Sequence, residues 1–152
     1  MGKKNINLEA IIPLYIVSLS RGCLRGRTKL QKLVFLIQDK LARVLDYDFQ
    51  KGYYGPYSYK LHSIVDELVT LGFLDEIVET TASGNNMMCY QITDSGQALL
   101  RHWLAQDILP QKARRNIDDI YDKYGRLPLP LLVRKVYKEH PEWTEKSALL
   151  SP

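Results

Sequence analysis

The chain has 152 residues, of which 45% are hydrophobic and 25% charged, with a formal net charge of +4. That balance fits one folded globular domain and excludes a globally disordered chain. The longest unbroken apolar run, Ala10–Val17, falls well short of the roughly 20 residues of a membrane helix, and the MGKKNIN start lacks a secretory signal block, so a cytoplasmic chain with no membrane attachment is expected.

In chain order, Leu8 to Leu19 reads as a largely buried first helix with Pro13 near its start. Thr28 is placed to cap a second helix, in which Leu30, Leu33, Val34, Ile37, Leu41, Val44 and Leu45 recur at three- and four-residue steps. Tyr47 to Tyr54 is mixed aromatic and polar, and Gly55-Pro56 is a turn signal. Leu61, Ile64, Val65 and Leu68 then form the stripe of a third helix, spanning Ser58 to Leu71, with Gly72 where a helix C-terminus belongs. Phe73 to Thr80 and Met87 to Ile92 are strand-like, joined by a small polar turn from Thr81 to Asn86. Thr93 opens a fourth helix, with Asp94 in its first turn, and this unit ends near Gln106. Two more helical patterns follow, Ala113 to Tyr124 and Leu131 to Glu139.

This order predicts an α+β fold, mainly α: a winged helix-turn-helix with a C-terminal helical extension. Residues 1–106 would form the winged core, and 107–152 an extension packing on that core or on a dimer partner.

Charge is spread unevenly. Residues 1–60 hold 11 Lys/Arg against 4 Asp/Glu, and residues 61–152 hold 10 against 13. Between Arg21 and Lys32 lie five basic residues and no acid, a patch suited to phosphate or another acidic surface. Cys23 and Cys89 do not make a disulfide framework and read as two reduced, partly buried small hydrophobes. His62, His102 and His140 are scattered with no CxxC or HxxxH pairing, so neither metal nor other cofactor is expected.

The third helix turns Tyr59, Lys60, Ser63, Asp66, Glu67 and Thr70 away from its apolar stripe. Residues at the start of such a helix can reach base edges, which makes Tyr57, Ser58, Tyr59, Lys60, His62 and Ser63 candidate DNA contacts. Arg25, Arg27, Lys29 and Lys32 would hold phosphates, and Ser83, Asn85 and Asn86 would lie along the backbone as the wing tip. The alternative for each group is structural. The helix face can be simply solvated, the basic segment a solvated loop, and the run Tyr47, Tyr53, Tyr54, Tyr57 and Tyr59 a filler between helices with its hydroxyls at the surface. Asp66 and Glu67 would repel a phosphate backbone. Ser58, His62 and Asp66 follow at four-residue steps along one helical row, whereas a hydrolase triad comes from separate elements beside an oxyanion hole. With no phosphate-binding glycine loop or nucleophile elbow elsewhere, no enzyme is expected.

Taken together, GRTKLQKLVFLIQ, the Gly-Pro-Tyr-Ser turn, the YQITDSG helix start and LPLPLLVRKVYKEHPEWTEKS resemble the YwgA family of small prokaryotic winged-helix proteins, over most of the chain. More distantly, the KLQKL-type helix and later Gly-Pro turn are similar to the Panacea domain of antitoxins. The first resemblance implies a winged-helix fold without known catalytic residues; the second implies direct contact with a toxin. The leading expectation is a homodimeric regulator binding double-stranded DNA, and the alternative is a protein-interaction module such as an antitoxin.

Overall fold

A computed structural model describes residues 2–41 and 45–144. The first helix, α1 (Gly2–Leu19), runs straight through Pro13, which lies in its interior and not near its start. Proline has no N–H to offer the carbonyl four residues back. That carbonyl belongs to Glu9, and the hydroxyl of the buried Tyr47 donates to it at 2.7 Å. A residue 38 positions away thus satisfies the acceptor that Pro13 leaves open.

A two-residue strand, β1 (Leu24–Arg25), leads into α2 (Arg27–Lys40). Gly26, at φ 95°, occupies the cap position, and Thr28 falls inside the first turn without capping it. The helix ends at Lys40; Val44 lies outside the described residues, and Leu45 is buried beyond the helix. All eight residues from Leu30 to Ile37 are buried, including Gln31 and Lys32.

Between α2 and the next helix the chain makes a hairpin, β2 (Gln50–Gly52) and β3 (Gly55–Tyr57), where the sequence pattern had indicated only a turn. Ser58 then caps α3 (Tyr59–Thr70), its hydroxyl accepting from Leu61 N–H at 3.1 Å and donating to the Tyr47 carbonyl. Gly72 follows the helix at φ 81°, the left-handed conformation expected there.

β4 (Leu74–Thr80) and β5 (Asn86–Ile92) form the second hairpin, and β1 pairs with β5, giving the sheet order β1-β5-β4. Packing holds only the base of this hairpin. Leu74, Cys89 and Tyr90 are buried, whereas Val78, Met87 and Met88 face solvent. Thr93 caps α4 (Asp94–Ala105) by accepting from Gly96 N–H at 3.0 Å.

The last two helices, α5 (Gln111–Tyr124) and α6 (Leu129–Glu139), pack on α2, and a short 3-10 turn at Pro141–Thr144 follows. Ile117, Ile120, Leu132 and Val136 join the same hydrophobic cluster as Leu30, Leu33 and Leu36. Tyr15 donates to Asp118 at 2.6 Å, fastening α1 to α5. Phe35 receives Phe49 and Trp143 edge-on, with centroids 5.3 and 5.2 Å away. The architecture is therefore mixed α+β, mainly helical.

Candidate nucleic-acid interface

Arg27 opens α2, and its guanidinium is the centre of a network joining four elements. Nε donates to the Tyr90 hydroxyl on β5 at 2.9 Å, one terminal nitrogen to Asp66 on α3 at 2.7 Å, and the other to Glu76 on β4 at 2.9 Å. Tyr90 itself donates to Glu76 at 2.5 Å. With only 15% of its side chain exposed, Arg27 is an internal brace and not the phosphate ligand expected of it. Burial works against its charge, but the bonds to Asp66 and Tyr90 outweigh this and raise its pKa. The same contact holds the Asp66 carboxyl below its ordinary value. Burial, followed by the bond to Glu76, pushes Tyr90 up to about 12.

Lys32 departs furthest from expectation. It is 1% exposed and its ammonium donates to the Pro56 carbonyl at 2.7 Å, so it does not lie on a surface where a duplex backbone could run. Burial alone brings its pKa down to about 7. Ser58 is also fully buried, and the Gln31 amide grips its backbone, donating to the carbonyl at 2.9 Å and accepting from the N–H at 2.8 Å. It cannot touch DNA, and its committed hydroxyl makes the Ser58, His62, Asp66 row a structural one. The Tyr57 hydroxyl and His62 Nδ1 lie 2.5 Å apart, and His62 Nε2 approaches Asp66 at 3.2 Å, so both residues are engaged at home. Lys60 pairs with the buried Glu9 at 2.7 Å and donates to the Asp46 carbonyl at 2.9 Å.

Other candidates stay at the surface. Arg25 is exposed, although its Nε meets Glu79 at 3.1 Å, and Lys29 is half-buried, its pKa lowered by burial and then by the Arg25 charge. Tyr59 and Ser63 face solvent on α3. At the hairpin tip Ser83, Asn85 and Asn86 are exposed, with the turn closed by Thr81 N–H donating to the Asn85 carbonyl at 2.7 Å. The Tyr run is divided: Tyr47 is core, Tyr57 half-buried, and Tyr53, Tyr54 and Tyr59 exposed.

Cys23 and Cys89 are joined as a disulfide, with Cα atoms 5.5 Å apart. This corrects the expectation of two separate reduced thiols. The pairing of Arg25 with Cys89 in the β1–β5 register brings Cys23 beside Cys89, 66 residues away in sequence. Glu79 Oε1 lies 3.6 Å from Cys23 Sγ, and the ligand atoms of Cys23, Glu79 and Cys89 all fall within 4.8 Å of one another. Only with the sulfurs reduced would these three make a metal donor set.

Set against known proteins, the chain matches no family model. It is 38% identical over 85 residues to YwgA, an uncharacterised protein of Bacillus subtilis (strain 168), a match covering 53% of this chain and 48% of that protein. The chain thus spans about half the length of this relative, and the similarity supports the YwgA-like resemblance of its motifs. Among solved structures it is similar to a candidate transcriptional regulator from Thermoplasma acidophilum, with a TM-score of 0.42 and 22% identity, over 76% of this chain and 94% of that one.

Proposed function

We propose that this chain is a winged-helix regulator that meets duplex DNA with α3 and the β4–β5 hairpin. The observation that carries the reading is topological. The order α1, β1, α2, α3, β4, β5, interrupted between α2 and α3 by the β2–β3 hairpin, with the sheet arranged β1-β5-β4, sets a helix with a solvated outer face beside a projecting hairpin. In this reading Tyr59 and Ser63 approach base edges. Ser83, Asn85 and Asn86 follow the backbone, and Lys29 and Arg25 hold phosphates. Arg27 fixes the angle between α3 and the hairpin. The chain acts by binding and not by catalysis, as a homodimer. No helix among the described residues is long and apolar enough to cross a membrane.

The test is duplex binding across a salt series. Removing one phosphate contact lowers the log–log slope by about one, so Lys29→Ala and Arg25→Ala should each do so while preserving the fold. Absence of duplex binding at low salt, or slopes indifferent to both changes, rejects the reading.

One observation favours a second reading, a protein-interaction module. α3 and β4 together carry Asp66, Glu67, Asp75, Glu76 and Glu79, which suit a basic protein surface better than a phosphate backbone. Copurification of a stoichiometric basic protein without nucleic acid would decide for it.

A further inference from the structure

A cavity of about 500 Å³ opens between the β2–β3 hairpin, the first half of α2 and the start of α3, within the size range of small-molecule sites. Among the described residues its wall contains two lysines, four tyrosines, a threonine, a glutamine and two glycines, and no carboxylate. Tyr53, Tyr54 and Tyr59 expose 72%, 52% and 67% of their surface around it, an unusual outlay of aromatic area to solvent.

The floor is Lys32. Of the three donors on its ammonium, one serves the Pro56 carbonyl, and among the described residues no carboxylate pairs with it. Gly55, at φ 98°, lets the hairpin close over this amine: a Cβ there would meet Lys32 Cε at 3.1 Å and Tyr137 Cε1 at 3.2 Å. Tyr137 reaches the same point from α6, and its hydroxyl is buried without a hydrogen-bond partner. Two buried polar side chains with unfilled bonding capacity therefore converge on one glycine. Among the described residues the titratable groups around Lys32 are Lys51 on β2, Tyr53 and Tyr54 at the hairpin turn, Tyr57 on β3, Tyr59 on α3 and, behind Gly55, Tyr137 on α6.

We propose that this cavity binds a small planar organic anion, an aromatic carboxylate, whose charge is held by the Lys32 ammonium and whose ring lies among Tyr53, Tyr54, Tyr57 and Tyr59. Two features select this class. A buried amine without a counter-charge gains most from an anion, and a tyrosine-lined mouth gains most from a flat ring. Tyr59 is shared with the face proposed above to meet DNA, and the cavity is tested without DNA present.

Benzoate, its neutral isostere benzamide and inorganic phosphate are titrated calorimetrically against the full chain from pH 7 to 9. Because Lys32 titrates at about 7 in the free protein, benzoate has to recharge it. Its binding should take up close to one proton at the upper end and weaken by about tenfold per pH unit above 7. Benzamide and phosphate should each bind at least about tenfold more weakly than benzoate. Lys32→Met should abolish benzoate binding while the chain stays folded, and Tyr53→Ala with Tyr54→Ala, at an exposed turn, should weaken it by about tenfold. No benzoate binding at millimolar concentration, benzamide or phosphate binding as tight as benzoate, or benzoate binding that survives Lys32→Met overturns the proposal.

Discussion

Replacing Lys32 by methionine removes a charge that the fold screens from water and keeps nearly the same volume. The amine falls from 10.5 in water to about 7 in the folded chain through burial alone. At about 1.4 kcal/mol for each tenfold change, holding it protonated near pH 6 costs roughly 5 kcal/mol, and near pH 9, where the folded state has already shed the proton, roughly 2. Losing the bond to Pro56 O offsets about 1–2 kcal/mol of either figure. Lys32→Met should therefore be more stable than the parent by about 3 kcal/mol near pH 6 and within about 1 kcal/mol of it near pH 9. The sign follows from proton counts. Between pH 7 and 10.5 the unfolded chain binds more protons at this residue than the folded one, so the parent gains stability as pH rises and the variant lacks that gain. Urea unfolding of both proteins at several pH values measures the gap. A gap independent of pH, or a variant less stable throughout, would refute the assignment of Lys32 as a buried amine without a counter-charge.

The Arg27 network makes a separate prediction. Arg27→Ala should cost about 1–2 kcal/mol, discounted because Asp66 is 55% exposed, and should leave the salt slope of any duplex binding unchanged. A slope lower by about one with unaltered stability would return Arg27 to the phosphates. Thiol titration of the denatured, unreduced chain should find no free cysteine, and reduction should lower stability by at most about 4 kcal/mol, the loop-closure value for a bridge spanning 66 residues. Gly96→Ala should cost about 2–3 kcal/mol in thermal or urea unfolding, since its Cβ would sit 2.1 Å from the Phe73 carbonyl oxygen and 2.7 Å from Ile92 Cγ1.

Local signals in the sequence were read where they act locally. The Leu61, Val65, Leu68 stripe, the left-handed Gly72, the Thr93 cap and the polar turn between β4 and β5 all involve residues a few positions apart. Features set by distant residues escaped. Proline interior to α1 is tolerated because Tyr47 supplies the missing donor, and no window around Pro13 contains that information. Arg27 looked like a free cation because its partners Glu76 and Tyr90 lie 49 and 63 residues on. Lys32 lies off the apolar stripe of α2, on a side that periodicity assigns to water. The β2–β3 hairpin covers it instead, and that hairpin was hidden because three-residue strands carry too little alternation to detect. Around α3 and its neighbouring hairpin the charges differ from the pattern in the sequence, since Arg27, Lys32 and Lys60 are all engaged within the fold.

The unbroken buried stretch of α2 has a consequence for how the molecule comes apart. A helix with a solvated face can keep its shape when one neighbour detaches, whereas eight successive enclosed residues leave α2 no side on which to face water. Peeling α5 and α6 away would expose Ile117, Ile120, Leu132 and Val136 together with their contacts on α2, so the terminal helices and the hairpin-bearing half should melt in a single transition. Amide protons of α2 should then exchange only through global unfolding, and a chain cut after Gln106 should bind hydrophobic dyes and populate a loosened state.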